Sequence, residues 1–221
     1  MADQPKTMKA WIVAKNGEPK DAGVLQLKTD YPFPAPPTGT EILVKISHAA
    51  LNPVDVHLAL NIPVWLPFRR NPIPAFDFAG EIVAAGPNVP AEFSIGTEVC
   101  SSLTVSQVVR GKGAIAEYVK VPADSVAVKP KSLSAAAASG LMGIAGQTAA
   151  IMEKDAKLKK GDRVLVNGAS GGVGNIILQI AKAKGAIVTG ICSGVNVPLV
   201  ESLGADEVST YCSLTEQNPH E

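Results

Sequence analysis

Residues 162–174 of the chain, DRVLVNGASGGVG, place a cluster of glycines directly after a short apolar run. A strand that ends in such a turn and continues as a helix brings bare backbone N–H groups up to a bound pyrophosphate. Apolar residues at helical spacing follow the turn, and Gly185 is placed to end that helix. The pattern therefore predicts a strand over 163–167, a helix over 172–184 and a dinucleotide site between them.

Between Met8 and about Pro130 the chain consists of short strand-like segments separated by turns rich in proline, such as PFPAPPTG. The segments are AWIVA, EILVKIS, GEIVAAG, TEVCS, AEYVKV and SVAVKP. This density of proline and glycine disfavours helices, apart from a short one around Pro53–Ala59 with Asn52 as its N-cap. Residues 1–132 are therefore predicted to form an all-β domain.

The composition changes abruptly after residue 132. Residues 133–154 are small, favour helix and include no proline, which predicts one or two helices. A polar link over 157–162 leads to the strand and helix described above, and a further strand, helix and strand are predicted over 186–192, near 197–203 and near 206–211. Residues 133–221 are thus an α/β domain whose βαβαβ order implies parallel strands and right-handed crossovers.

The charges of the chain balance, with 20 Lys plus Arg against 20 Asp plus Glu. No net field recruits nucleic acid or an anionic membrane, so neither partner is expected. The start, MADQPKTMKAW, lacks the apolar core of a secretory signal, and no apolar run reaches about 18 residues. A cytoplasmic protein is expected, in which Cys100, Cys192 and Cys212 are reduced and unpaired.

The glycine cluster fits two dinucleotide-binding patterns. Read from Ala169 it matches the Rossmann fingerprint with alanine in place of the first glycine, and read from Gly168 it matches the spacing of short-chain reductases. The Rossmann pattern is favoured because a whole β domain precedes the loop and no tyrosine has a lysine four positions later. The predicted cofactor contacts in the loop are Ala169, Ser170, Gly171, Gly172, Val173 and Gly174.

The end of the second strand bears on the choice of cofactor. NAD sites usually have an acid there to bind the ribose 2′-hydroxyl, whereas this strand ends in Cys192 and Ser193. Ser193, Asn196 and Tyr211 are the predicted contacts of a 2′-phosphate, so NADPH is favoured. Residues 185–221 contain no Lys or Arg, so the preference is expected to be shallow and NADH remains an alternative.

Six motifs in one order resemble the medium-chain dehydrogenase/reductase superfamily, specifically its zinc-independent quinone oxidoreductase-like branch. The motifs are AWIVAKNGEP, SHAALNPVD, PAFDFAGEIVAAG, GAIAEYVKVPAD, NGASGGVG and ESLGADE. The resemblance implies an N-terminal GroES-like β-barrel domain followed by the first half, βαβαβ, of a doubly wound Rossmann sheet. It also implies hydride transfer from NADPH to a quinone, enone or similar activated carbonyl or alkene. It places Thr148 on the cofactor side, with helix packing as an equal alternative.

The same resemblance implies that there is no metal at the active site. Zinc-dependent relatives have a ligand cysteine where this chain has Asn52, and a Gly-His-Glu motif where it has Ala75, Phe76 and Asp77. Asn52 and Asp55 are the implied catalytic residues, with Asn52 donating to a carbonyl or to the nicotinamide ribose and Asp55 orienting it. The structural alternative is an N-cap and a helix-start acid.

Two further features near this motif leave alternatives open. Enoyl-thioester reductases of the superfamily use a tyrosine donor in the stretch that reads LALNIPVW here, so an enoyl reductase is only a second alternative. The loop carrying Trp65, Phe68, Arg69 and Arg70 is either one wall of the substrate cleft or a surface loop with solvated arginines.

The chain stops after the third predicted strand of a sheet whose full order is 3-2-1-4-5-6. The strand over 163–167 is then expected to be an exposed edge. The sequence is accordingly interpreted as C-terminally truncated, with low or no turnover expected of the 221 residues and a homodimer plausible for a full-length form. The alternative is a non-catalytic remnant that binds nucleotide or a partner weakly.

Overall fold

A computed structural model describes residues 5–211. The chain divides into two compact units, one up to Ile144 and one from Ala145. The division falls inside the helical segment that the sequence assigns to the second domain. The strands are β1 (Thr7–Val13), β2 (Leu25–Pro32), β3 (Glu41–Ala50), β4 (Asp77–Ala85), β5 (Glu98–Ser102), β6 (Tyr118–Pro122), β7 (Ala127–Val128), β8 (Arg163–Asn167), β9 (Ile187–Cys192) and β10 (Glu207–Thr210). The helices are α1 (Pro53–Asn61), α2 (Val105–Val109), α3 (Ala135–Leu141), α4 (Ile144–Ala156), α5 (Gly174–Ala183) and α6 (Val197–Ser202).

The first unit is built on antiparallel sheets. Five strands pair in the order β6-β3-β4-β5-β7, and β1 pairs with β2 separately. Alternate side chains of β3 and β4 point into one core, so Ile42, Val44, Phe78 and Ile82 are fully buried there. β3 ends two residues before Asn52, and β4 begins at Asp77, so the two packed strands lead directly into the candidate site described below.

Two elements of the first unit were not predicted from the sequence. No residue of β2 is buried and most are exposed, so its sequence LQLKTDYP lacks a clear apolar alternation. The expectation of a single helix in this region was wrong, because α2 forms over Val105–Val109. Thr104 and Gln107 start α2 with a capping box, in which the Thr104 N–H donates to Gln107 Oε1 at 2.9 Å and the Gln107 N–H donates to Thr104 Oγ1 at 3.3 Å.

The second unit contains a parallel sheet in the order β10-β9-β8, with α5 and α6 as its crossovers. Val166, Leu178, Val188 and Val200 are buried between the sheet and the helices. The predicted βαβαβ order is confirmed. Within the described residues β8 pairs with β9 alone, and its Leu165 is 65% exposed.

Several smaller expectations can be compared with the structure. Cys100 and Cys192 are free and buried, and Cys212 lies outside the described residues. No single helix in the described part of the chain has the length and hydropathy of a membrane span, although α3 and α4 taken together pass on those two measures.

Candidate functional site

The glycine loop joins β8 to α5. Gly168 has φ 72°, a conformation that favours glycine, and its carbonyl accepts the Gly171 N–H at 2.8 Å. The Asn175 N–H donates to the Gly171 carbonyl at 3.0 Å and begins the helical bonding. Within residues 5–211, the N–H groups of Gly172, Val173 and Gly174 have no protein acceptor. Consecutive free donors at a helix start favour an anionic group.

The positions of the glycines differ in how much space surrounds them. A Cβ on Gly174 would overlap the Gly168 carbonyl oxygen and contact Ala169 Cα, so only glycine fits there. A Cβ on Gly172 would meet nothing nearer than the Ala145 methyl group at 3.9 Å. Gly174 is therefore needed to form the loop, whereas Gly172 keeps its outer face clear.

The end of β9 brings three of the predicted cofactor residues together. Asn196 Nδ2 donates to Ser170 Oγ at 3.1 Å and to Ser193 Oγ at 3.0 Å. The three residues are half-buried, and the cluster carries hydroxyl and amide groups without a carboxylate. Such a cluster does not repel a phosphate.

Two other predicted cofactor residues lie on elements near the loop. The Tyr211 hydroxyl is 3.9 Å from the point that a Cβ on Gly168 would occupy. Thr148 is half-buried on α4, and the next residue, Ala149, belongs to the same apolar cluster as Ala169. The structure thus brings the loop, the Ser193–Asn196 segment and Tyr211 to one end of the parallel sheet, with α4 packed against it.

The predicted catalytic residues lie at the start of α1 in the first unit. Asn52 precedes the helix, and its N–H donates to Asp55 Oδ2 at 2.7 Å. The Asn52 side chain turns to β4 instead, where Nδ2 donates to Asp77 Oδ2 at 2.7 Å. Asp55 therefore makes the contact expected of a helix-start acid, and the same contact holds the Asn52 backbone; the Asn52 amide is bonded to Asp77, which had no predicted role.

Asp77, which accepts the Asn52 amide, is a buried residue to which the sequence assigned no role. It is 1% exposed, and it accepts the Ile144 N–H at 3.1 Å on Oδ1 and 3.0 Å on Oδ2. The signal available in the sequence was a single acid at the start of the apolar segment DFAGEIVAA, which must be buried with the strand. Its partners could not be read from the sequence because they lie far away along the chain.

Asp55 is a buried acid with an altered proton affinity. It is 4% exposed, and its Oδ1 meets no hydrogen-bond partner of good geometry among the described residues. Burial, helped by the charge of Asp77, raises the pKa of Asp55 from 3.8 to about 6, against the lowering effect of the Asn52 and Ala75 N–H groups. A fraction of Asp55 is therefore protonated near neutral pH.

The loop with exposed aromatic residues is anchored by a buried arginine. Arg69 is 2% exposed and its Nη1 donates to the carbonyls of Val108 and Val109, at 3.0 and 2.6 Å. The interpretation of Arg69 as solvated was wrong, because it binds the C-terminal carbonyls of α2. Trp65 and Phe68 on the same loop are exposed.

Asn52 and Asp77 also bear on whether the site could hold a metal ion. Between residues 5 and 211, no three His, Cys, Asp or Glu side chains converge as a metal site would require. Asp77 stands at one of the positions where zinc-dependent relatives have ligands, and both of its carboxylate oxygens accept protein N–H groups.

The first unit also contains a cavity of about 500 Å³, lined by residues that include Tyr31, Tyr118 and Lys112. Asn52, Asp55 and Asp77 do not line this cavity.

Comparison with known proteins relates both units to one group of enzymes. The profile of the alcohol dehydrogenase GroES-like domain matches residues 38–131. A medium chain reductase of Acremonium sp. is 32% identical, with 95% of this chain and 62% of the relative covered. A trans-enoyl reductase of Aspergillus terreus is 36% identical, with 94% of this chain and 59% of the relative covered.

Solved structures show the same likeness. The quinone oxidoreductase of Coxiella burnetii has a TM-score of 0.78 and 32% identity, covering 93% of this chain and 63% of that one. A mycobacterial protein in complex with NADPH has a TM-score of 0.75 and 29% identity, covering 93% and 58%. The chain thus spans about 60% of the length of these relatives. It belongs to the medium-chain dehydrogenase/reductase superfamily, as a GroES-like domain followed by the first three parallel strands of a Rossmann sheet.

Proposed function

We propose that this chain belongs to an NADPH-dependent oxidoreductase that transfers hydride to a quinone, an enone or a similar activated carbonyl or alkene without zinc. The homologues are NAD(P)H and quinone oxidoreductases and trans-enoyl reductases, which supports an oxidoreductase in general. Because the chain spans about 60% of its relatives, the proposal concerns the whole protein to which these residues belong.

The observation that carries the proposal is the set of free N–H groups at the start of α5. Gly172, Val173 and Gly174 present donors that bind no protein acceptor within the described residues, at a helix end that favours negative charge. A pyrophosphate fits this donor set, and the residues of the loop would hold it. When bound, NADPH supplies the hydride, while the protein supplies binding and orientation.

The preference for NADPH rests on the end of β9. Ser170, Ser193 and Asn196 form a hydroxyl and amide cluster where an acid would repel a 2′-phosphate. The relative solved with NADPH supports the same cofactor. Since residues 185–221 include no Lys or Arg, the preference is a modest one.

The residue proposed to bind the hydride acceptor is Asn52. A primary amide has two hydrogens, and one of those on Asn52 is used by Asp77. The second can donate to a carbonyl oxygen on which negative charge develops during reduction, and this is a substitute for the polarising effect of zinc. Reduced quinones and enolates then take a proton from solvent.

The cofactor preference is tested by titrating the chain with NADPH and NADH. The wild-type chain is expected to bind NADPH more tightly, and the Ser193→Asp variant is expected to lose about tenfold in NADPH affinity, equivalent to about 1.4 kcal/mol. Ser202→Asp adds the same charge on an exposed part of α6 and is the matched control. Equal dissociation constants for the two cofactors in the wild-type chain would refute the preference.

A trans-enoyl reductase is the second candidate, favoured by the relative from Aspergillus terreus. The stretch after Asn52 contains no tyrosine to act as proton donor, which favours quinones and enones. NADPH oxidation by the full-length protein, measured in parallel with a benzoquinone and an enoyl thioester, distinguishes the two. Absence of any turnover, with or without nucleotide binding, would leave the non-catalytic alternative.

A further inference from the structure

We propose that Asp77 is the positioning residue of the site: its buried carboxylate fixes the orientation of the Asn52 amide and ties it to the start of α4. The proposal rests on the role proposed above for Asn52 and extends it to a second residue. Asp77 touches neither cofactor nor substrate in this role, because it acts through Asn52.

The contacts of Asp77 connect three separate elements. Asp77 is the first residue of β4, its Oδ2 accepts Asn52 Nδ2 at 2.7 Å, and both of its oxygens accept the Ile144 N–H. Asn52 precedes α1 and Ile144 begins α4. One side chain therefore sets the relative position of three chain segments around the Asn52 amide.

The chemistry of the pair determines which way the amide faces. A carboxylate accepts hydrogen bonds and donates none, so Nδ2 and not Oδ1 of Asn52 must face Asp77. The bond is charge-assisted, and Asp77 is 1% exposed, so water does not compete for it. The second amide hydrogen then points in a defined direction, as an electrophilic donor requires.

The Asp77 carboxylate also has little free space around it. A Cβ on Gly143 would overlap the Asp77 carboxyl group, so the chain passes close to Asp77 only because residue 143 is glycine. Asp55 accepts the Asn52 backbone N–H at 2.7 Å. The backbone and the side chain of Asn52 are thus each held by a different buried acid.

The first test needs no activity and no variant. In an NMR spectrum of the ¹⁵N-labelled chain, the two side-chain protons of Asn52 are expected to differ, with the one bound to Asp77 exchanging with water more than tenfold more slowly than those of the exposed Asn88. Exchange of both Asn52 protons as fast as those of Asn88 would overturn the proposal.

The second test is the isosteric variant Asp77→Asn, with Asp124→Asn on the surface as its control. Asp77→Asn is expected to shift the Asn52 side-chain signals and remove the slow exchange, and Asp124→Asn is expected to change neither. Asn52 signals that remain unchanged in folded Asp77→Asn would refute the positioning role.

The third test separates a positioning role from a structural one in the full-length enzyme. Asp77→Asn is expected to lower kcat about ten- to hundredfold with little change in the KM for NADPH, and to have no further effect when Asn52 is already alanine. Additive losses in the double variant would show that Asp77 does not act through Asn52. If the wild-type enzyme has no turnover, the proposed function fails, while the NMR measurements still decide the orientation of Asn52.

Discussion

The glycine loop and the Asn52 site differ in what happens to their hydrogen-bonding groups. At the loop, the N–H groups of Gly172, Val173 and Gly174 have no acceptor within the described residues. At the Asn52 site, both oxygens of the buried Asp77 are met by protein donors. The loop is open and suited to an incoming anion, whereas the Asp77 carboxylate and its donors form a closed network that holds the Asn52 side chain in place.

Gly174→Ala is the strongest test of the open region. The added methyl group meets backbone atoms of Gly168 and Ala169 that cannot rotate away, so a loss toward the upper end of the ~1–3 kcal/mol typical of overpacking is expected. Thermal unfolding and NADPH titration measure the two consequences. Gly172→Ala, which has open space around it, is expected to unfold at the wild-type temperature, and equal destabilisation by both variants would contradict this account.

Gly143→Ala tests the closed network. Its methyl group overlaps a side chain that can shift, so the expected loss is smaller, about 1–2 kcal/mol, through weakened hydrogen bonds to a buried carboxylate. Chemical denaturation measures it. Gly140→Ala on α3 has nothing within 4 Å of the new methyl group and is expected to stabilise the chain by about 0.5–1 kcal/mol. A Gly143 variant as stable as the Gly140 variant would mean that Asp77 is not confined.

The pH dependence of stability tests the second acid of the network. Because the pKa of Asp55 rises to about 6 in the folded chain, the folded state holds a proton that the unfolded state has released between about pH 4 and 6. The contribution of Asp55 to the free energy of unfolding therefore falls as the pH rises through that range, by no more than about 1.4 kcal/mol per pH unit for one proton.

Asp55→Asn isolates this pH-dependent effect. The variant retains an oxygen that can accept the Asn52 N–H but cannot titrate, so subtracting its stability from that of the wild-type chain removes the contributions of all other groups. Denaturant unfolding at several pH values from 4 to 7 gives the difference. A difference that does not vary with pH would show that the Asp55 carboxyl titrates as in the unfolded chain.

The two regions also differ in how far the sequence predicts them. The loop, the end of β9 and the helix after Asn52 are formed by residues close together in the chain, so spacing and residue type predicted them. Asp77 bonds to Asn52, 25 positions away, and to Ile144, 67 positions away. Such partners depend on how distant segments of the first unit fold together, and single-sequence patterns carry no information about that packing.

Arg69 and α2 are a second example of what a single sequence can and cannot predict. Arginine in a proline-rich loop is usually solvated, yet Arg69 is buried because the carbonyls at the end of α2 lie 39 and 40 positions further along the chain. The Thr104–Gln107 pair that starts α2 was present in the sequence as a capping pattern. A search for capping pairs would have found α2, while no local pattern would have found its arginine.

The exposed side of β8 has a practical consequence for measuring cofactor affinity. Leu165 is 65% exposed on a strand that pairs on one side only within the described residues, and unpaired edges recruit strands from other molecules. Strand addition there would act on Gly168, which follows the last residue of β8. Dissociation constants of this chain should therefore be measured over a dilution series. Self-association through the β8 edge would otherwise be mistaken for a change in nucleotide affinity.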